Sequence, residues 1–175
     1  LYFENGCLKE KGFYKAGKET GVVENFFDNG KLKSKTMFKN GEADYSQGYA
    51  EFYESGILSF VYSPESGRSY SYFEDGTLQF EETKDYYKSY FKNGQLEFEI
   101  IGGVCNEFYE NGDLAKNYSF NLKMFEELEN IDECLEGSYE SYYECGGIKK
   151  KTSYEDGLLE GSFVSFYNDG ALKEK

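Results

Sequence analysis

Histidine is absent from this chain, and its absence removes the commonest general base of hydrolytic enzymes. Ser-His-Asp triads and Cys-His nucleophile pairs both require an imidazole. The chain also contains neither a G-x-x-x-x-G-K-[ST] phosphate loop nor a strand-linked G-x-G-x-x-G motif. Two carboxylates suffice for a glycosidase, but the 33 Asp and Glu residues of this chain supply such pairs by chance. We therefore predict a protein that is not an enzyme and binds no cofactor.

A long apolar run is also absent. No stretch approaches the roughly 18 apolar residues of a membrane-spanning helix, and no signal peptide is visible. We expect a cytoplasmic protein without a membrane span; because the chain begins inside a repeat, a processed cell-envelope or secreted form is the alternative. Proline occurs once, against 20 glycines, which indicates turns rather than disorder.

Positive charge is scarce and unevenly distributed. The chain has 19 Lys and Arg against 33 Asp and Glu, a net charge of −14. Residues 1–60 hold 8 Lys and 9 acids, whereas residues 61–175 hold 11 basic and 24 acidic residues. Such a chain repels nucleic acid and anionic membranes. A basic protein partner is compatible with this charge, and simple solubility of an open sheet is the alternative interpretation.

Cysteine is also sparse, with Cys7, Cys105, Cys134 and Cys145. Without a C-x-x-C pair or a histidine, these residues do not form a zinc-binding pattern, and we predict no metal site. We expect free thiols in a reducing compartment, with a Cys134–Cys145 bridge as the alternative.

What the chain does contain is a repeated pattern of two aromatics, two polar residues, a glycine, any residue and then leucine or isoleucine. Eight copies occur, at Tyr2–Leu8, Phe26–Leu32, Phe52–Leu58, Tyr72–Leu78, Tyr90–Leu96, Phe108–Leu114, Tyr142–Ile148 and Phe166–Leu172. Their glycines are separated by 24, 26, 20, 18, 18, 34 and 24 residues. Recurrence at this period is typical of repeat architectures.

The turn chemistry of the repeat predicts a β-hairpin. Asn-Gly or Asp-Gly occupies the turn in six copies and favours a two-residue type I′ turn. In the second copy this turn places Phe27 opposite Leu32, with Phe26 on the other face. Stacked hairpins would then bury a continuous seam of second aromatics and leucines, which one hairpin alone does not provide. The predicted fold class is all-β: an elongated array of stacked antiparallel β-hairpins, forming a single domain over residues 1–175.

The first aromatic of each copy lies on the face opposite this predicted seam. These rings either pack against neighbouring hairpins or form an exposed stripe that contacts a partner. In the second case, the candidate partner-binding aromatics are Phe52, Tyr72, Tyr90, Phe108 and Tyr142.

The longest interval contains an irregular insertion, residues 117–137. Met124, Leu128, Ile131 and Leu135 recur there at helical spacing, which predicts a short helix near residues 124–135; a lengthened hairpin is the alternative. Residues 125–147 contain eight acids and no Lys or Arg, and they match no EF-hand loop. We interpret these acids as a solvated face or as an anionic patch that docks a basic partner, with adventitious cation binding as a third interpretation. The acidic candidates for partner binding are Glu126, Glu127, Glu129, Asp132, Glu133 and Glu136.

Two stretches carry a resemblance to a known family. G-V-V-E-N-F-F-D-N-G-K-L (residues 21–32) and G-S-F-V-S-F-Y-N-D-G-A-L (residues 161–172) resemble MORN-repeat variants, as found in the YwqK-like antitoxin family. The resemblance spans nearly the whole chain. It implies an elongated hairpin array in a non-catalytic bacterial protein that binds another protein, such as a toxin.

Together these observations predict a protein-binding repeat scaffold, of antitoxin or immunity type, whose partner is a basic protein. One alternative is a carbohydrate or cell-envelope binding module, in which rings grip sugars or choline; the absence of tryptophan argues against it. Another is a structural protein that self-associates through open sheet edges.

Overall fold

The computed structural model describes residues 1–121 and 130–175. In these ranges nearly all regular structure is β-strand, and the strands pair antiparallel as a meander of stacked hairpins, as predicted. Contacts divide the chain into two units, Leu1–Lys84 and Asp85–Lys175; the expectation of a single domain stays a prediction. No helix in the described part of the chain is long and apolar enough to span a membrane.

The first unit is built on one antiparallel sheet. Its strands are β1 (Glu10–Lys15), β2 (Lys18–Phe26), β3 (Leu32–Lys39), β4 (Glu42–Ala43), β5 (Tyr49–Phe52), β6 (Leu58–Ser63), β7 (Arg68–Tyr72) and β8 (Leu78–Glu82). They follow chain order in the sheet, except that β5 pairs with β3 and the short β4 also pairs with β3. A three-residue 3-10 helix, Tyr45–Gln47, connects β4 to β5.

The second unit repeats this arrangement. Its strands are β9 (Tyr86–Tyr90), β10 (Leu96–Ile101), β11 (Val104–Phe108), β12 (Leu114–Phe120), β13 (Leu135–Tyr142), β14 (Ile148–Glu155), β15 (Leu158–Phe166) and β16 (Leu172–Glu174). They lie in chain order, each antiparallel to the next. Because β12 runs to Phe120 and β13 starts at Leu135, the strands extend into the predicted insertion from both sides.

All eight repeat copies form the same turn, but it is not the predicted type I′ turn. In the second copy the Phe27 carbonyl accepts from the Gly30 amide at 3.0 Å, and the Phe27 amide donates to the Lys31 carbonyl at 2.8 Å. Gly30 has φ +81°, whereas Asn29 is not among the residues with positive φ. This is a three-residue loop, a type I turn closed by a glycine bulge. The Asn29 side chain stabilises it, since its Oδ1 accepts from the Lys31 amide at 2.9 Å.

The extra loop residue changes which aromatic meets the leucine. Phe26, not Phe27, pairs with Leu32 across the hairpin, so the predicted register of this pair was wrong by one residue. The first aromatic pairs with the leucine or isoleucine in every copy. The aromatic–aliphatic pair therefore exists in all copies, but the ring that forms it was misassigned.

The two-residue turns lie at the strand ends opposite the repeat turns. Ala16 and Gly17 (φ +50° and +77°), and Asn40 and Gly41 (φ +57° and +86°), have the positive φ values that a type I′ turn requires. In the second unit Gly102–Gly103 and Asp156–Gly157 form equivalent turns. Type I′ turns therefore do occur in this chain, at the strand ends opposite the repeat turns.

The described residues of the insertion belong to the second unit, and β12 and β13 pair on either side of it. Its base is closed by the Asn121 amide, which donates to the Cys134 carbonyl at 2.8 Å, and Cys134 lies in a buried cluster with Cys105, Tyr118, Phe120 and Leu135. Residues 122–129, and with them most of the predicted helix, lie outside the described residues. The described remainder is a 3-10 helix, Ile131–Cys134, and Leu135 already belongs to a strand, which corrects the prediction at that residue.

Candidate partner-binding surfaces

The predicted first-position aromatics all lie at strand ends, next to the repeat turns. Phe52 and Tyr72 in the first unit, and Tyr90, Phe108 and Tyr142 in the second, are half-buried, each against its leucine or isoleucine. Their rings are therefore partly covered within their own hairpins. Whether they bind a partner stays a prediction.

Hydroxyl groups on the second aromatics connect one hairpin to the next. Tyr53 Oη donates to the Tyr72 carbonyl at 2.7 Å, and Tyr109 Oη donates to the Tyr142 carbonyl at 2.8 Å. The second of these bonds joins the hairpins on either side of the insertion. Consecutive hairpins of the second unit therefore stay in contact at the turn edge although 34 residues separate their glycines.

Asparagines in the turns make a second connection between hairpins. The side-chain Nδ2 of Asn29 donates to the Glu54 carbonyl of the next turn at 3.1 Å, and Asn93 Nδ2 donates to the Glu110 carbonyl at the same distance. Each asparagine thus accepts a hydrogen bond within its own turn and donates one to the next turn. Aspartate supplies only the first of these bonds.

The described acidic candidates lie at the other end of the second unit's strands. Asp132 and Glu133 are exposed on the 3-10 helix, and the Glu133 carboxylate accepts from the side-chain Nδ2 of Asn130 at 2.7 Å. Glu136 accepts from the Asp156 backbone amide at 3.2 Å, which ties the insertion to a type I′ turn. The remaining predicted acids, Glu126, Glu127 and Glu129, lie outside the described residues.

The described acids and the aromatics of the two predicted sets lie at opposite ends of the strands in the second unit. Strand β13 begins beside the acids at Leu135 and ends at Tyr142, and a strand of this length spans about 23 Å at ~3.3 Å per residue. A partner that contacts both the acids and the aromatic row must span the full length of these strands.

The sheet of the first unit carries a surface that the sequence analysis did not single out. Cross-strand pairs place Tyr49 opposite Tyr62 and Glu51 opposite Phe60, and the next strands continue the same two rows to Glu82 and Phe80. We call this surface the aromatic–acidic face; it consists of Tyr49, Glu51, Phe60, Tyr62, Phe80 and Glu82. Strand β7 contributes only serines, Ser69 and Ser71, to these rows.

The rings of this face contact one another. The centroids of Tyr49 and Phe60 lie 6.0 Å apart, and those of Phe60 and Phe80 lie 6.3 Å apart across the small Ser71. Tyr45 of the 3-10 helix adds an edge-on contact to Tyr49 at 5.6 Å. Desolvation, with the hydrogen bond that Tyr49 Oη donates to Glu51, raises the pKa of the Tyr49 phenol.

The equivalent rows in the second unit contain lysines. Lys116 and Lys150 lie two residues after the leucine or isoleucine of their copies, the position that Phe60 and Phe80 occupy in the first unit. Lys116 Nζ forms an ion pair with its cross-strand neighbour Glu107 at 2.7 Å. Lys150 Nζ lies 4.9 Å from the ring centroid of Tyr139 and 5.5 Å from those of Tyr154 and Phe163.

An alignment of the copies on their turn residues carries a signal for this difference. The residue before the first aromatic is Glu51 in one copy and Glu107 in another, and their cross-strand partners are Phe60 and Lys116. The composition of single copies conceals this contrast, because it appears only when the two strands of a hairpin are read together.

The described structure contains cavities of several sizes. One of about 260 Å³ lies in the first unit, lined by Val22, Met37, Gln47, Tyr49 and Val61 among others. Two clefts are larger, about 600 Å³ beside Lys18, Lys39 and Asp44 and about 550 Å³ beside Tyr143, Cys145 and Asn168, within the ~300–1,000 Å³ of ligand pockets. Within residues 1–121 and 130–175, no three His, Cys, Asp or Glu side chains come together as a metal site. The four cysteines are free thiols, with Cys134 buried and Cys145 exposed.

Two of the hairpins are similar to a known repeat family. Two stretches match a MORN repeat variant. They are residues 19–40 and 86–102, which correspond to the β2–β3 and β9–β10 hairpins and their turns. No curated protein matches the chain. The MORN-type hairpin is thus supported in both units, whereas the finer resemblance to the YwqK-like antitoxin family stays a prediction.

Proposed function

We propose that this chain is a non-catalytic, protein-binding scaffold of MORN-type hairpins whose partner is a basic protein. The observation that carries the proposal is the single-layer construction of the first unit. All its strands belong to one sheet, and the only helix described there has three residues. Val23 is the one hydrophobic side chain of residues 1–84 that is fully buried.

A single-layer sheet leaves aromatic side chains half-exposed, as at Phe52 and Tyr72. Aromatic residues are enriched at protein interfaces, because they bury much apolar area. The net charge of −14 favours a basic partner and disfavours nucleic acid. An antitoxin or immunity role is a narrower form of this proposal, supported only by the resemblance of the repeats, and it identifies the partner as a basic toxin.

Copurification with the tagged chain from its native host, followed by calorimetric titration of the identified partner, tests the proposal. We expect a partner with an isoelectric point above neutrality, whose affinity falls as salt rises, because exposed charge pairs are screened within about 10 Å at 0.1 M salt. An acidic partner or a salt-independent affinity would contradict the electrostatic part. Retention on cell-wall polysaccharide, lost in Phe52→Ala or Tyr72→Ala, would replace the proposal with a carbohydrate-binding function.

A further inference from the structure

We propose that the aromatic–acidic face of the first unit is the docking surface for a lysine- or arginine-bearing extended segment of the partner protein. This inference rests on the proposed function and specifies the face, the partner chemistry and the residues that bind it. The occupant is a basic protein segment rather than a sugar or a second copy of the chain.

The repeat itself provides the first argument. In the second unit this face contains its own cations: Lys116 pairs with Glu107 at 2.7 Å, and Lys150 lies among three aromatic rings. In the first unit the two rows of β5–β8 keep the rings and the carboxylates, but none of their positions is Lys or Arg. A cation from a partner would recreate there the contacts that the second unit makes internally.

The chemistry of the face matches such a cation. A cation within about 6 Å of an aromatic centroid gains roughly 0.5–1 kcal/mol at exposed sites and more when desolvated. Phe60 and Phe80 supply the ring surfaces, and the carboxylates of Glu51 and Glu82 flank them on β5 and β8. Both glutamates are exposed, so a partner can reach them without rearranging the sheet.

The spacing of the carboxylates suggests the form of the segment. Glu51 and Glu82 are three strands apart and lie in adjacent rows. Three strand spacings of about 4.8 Å and a two-residue offset of about 6.8 Å place them roughly 16 Å apart. In an extended peptide, residues i and i+4 point to the same side and lie about 13–14 Å apart, and flexible lysine or arginine side chains cover the difference. Basic residues four apart therefore suit this face.

A peptide titration tests the inference directly. The probe is a fluorescein-labelled 12-residue peptide of alternating lysine and serine, and fluorescence anisotropy measures its binding to the full chain at about 50 mM salt. We expect the double variant Glu51→Gln/Glu82→Gln to weaken binding at least tenfold. The matched control Glu54→Gln/Glu81→Gln removes the same charge from a turn and from the opposite face of the same unit, and should change affinity less than twofold.

A second variant separates ring contacts from charge. Phe60→Leu keeps an apolar side chain but removes the aromatic ring, and we expect binding to weaken about threefold. The thermal midpoint should fall slightly, because the ring contacts with Tyr49 and Phe80 are lost. Tyr70→Leu removes a half-buried ring from the opposite face and should leave binding unchanged. Equal losses in face and control variants, or no binding to the wild-type chain, would overturn the inference.

The outcome for the proposed function is distinguishable. If the host partner still binds the Glu51→Gln/Glu82→Gln variant with wild-type affinity, the scaffold function stands and this face is not the docking surface. If no basic protein binds the chain at all, the proposed function falls as well. Binding of an uncharged oligosaccharide at this face, in place of the peptide, would also refute the inference.

Discussion

Loss of one hydroxyl group at Tyr109 should measurably loosen the contact between neighbouring hairpins. Tyr109 Oη donates to the Tyr142 carbonyl at 2.8 Å, across the insertion. Tyr109→Phe keeps the ring and removes this single bond. Phe27 and Phe91 already occupy the same repeat position, so a phenylalanine fits there without strain.

The magnitude follows from the exchange of one neutral hydrogen bond. A typical intramolecular hydrogen bond contributes about 0.5–1.5 kcal/mol net, and the partly buried Tyr109 should lie near the middle of this range. We expect a free energy of unfolding lower by about 1 kcal/mol, with an unchanged m-value in urea. This corresponds to a thermal midpoint lower by roughly 4–8 °C where the second unit unfolds on its own, and by roughly 2–4 °C where the whole chain unfolds in one step.

Tyr167→Phe is the matched control. Tyr167 has the same repeat position in the last copy and is 52% exposed, so its hydroxyl group is free to bond with water. We expect a change of less than about 0.5 kcal/mol. Equal losses in the two variants, or no loss in Tyr109→Phe, would show that this hydroxyl does not couple the hairpins.

Three further outcomes are expected. Gly157→Ala should destabilise the protein by more than the roughly 1 kcal/mol expected for alanine at a positive-φ position, because its Cβ would lie 2.6 Å from the Glu133 carbonyl oxygen. Gly17→Ala is the control, since a Cβ at Gly17 meets nothing within 4 Å, and urea unfolding compares the two variants. Hydrogen bonds from Lys151 and Tyr142 lower the pKa of Glu140. Glu140→Gln should therefore lower the free energy of unfolding by about 0.2–1 kcal/mol at neutral pH, and this difference should disappear as the pH falls through the lowered pKa. Burial raises the pKa of the Cys105 thiol to about 11, so a thiol reagent at about pH 8 should modify exposed Cys145 quickly and Cys105 only after unfolding.

Each of these outcomes has a result that contradicts it. Equal destabilisation by the two glycine variants would mean that the insertion yields to the added methyl group. A Glu140→Gln difference that persists in acid would remove the ion pair as its cause. Rapid modification of Cys105 in the native state would show that the second unit opens around its buried cluster.

The end of the insertion differs from the prediction. Its helical spacing predicted a helix that includes Leu135, yet Leu135 pairs with Phe120 in the sheet. Periodicity does not reveal that Cys134 and Leu135 are needed to cover Cys105 and Tyr118. Contacts made across the sheet, not local spacing, therefore decided where the strand begins.

The candidate site shows the same limit. Aromatic positions were readable from the repeat, but the face on which each ring lies depends on the register of the turn. The glycine bulge limits the register error to the first aromatic, since Glu51 lies opposite Phe60 and Ser71 opposite Phe80, as a two-residue turn would also place them. Phe60 and Phe80 lie outside the repeated motif, and only the pairing of neighbouring strands brings their rings together.

The sequence by itself determined where the eight repeat hairpins turn, because each repeat turn ends in a glycine at positive φ. The identical tetrapeptides Phe38-Lys39-Asn40-Gly41 and Phe91-Lys92-Asn93-Gly94 mark what it left open. In the first, Asn40 has φ +57° and the turn is type I′; in the second, the Gly94 amide bonds to the Phe91 carbonyl and the turn has three residues. Asn93 also donates to the Glu110 carbonyl of the neighbouring hairpin. Tertiary structure decided between the two turns, because four residues compatible with both are fixed by the strands and hairpins on either side of them.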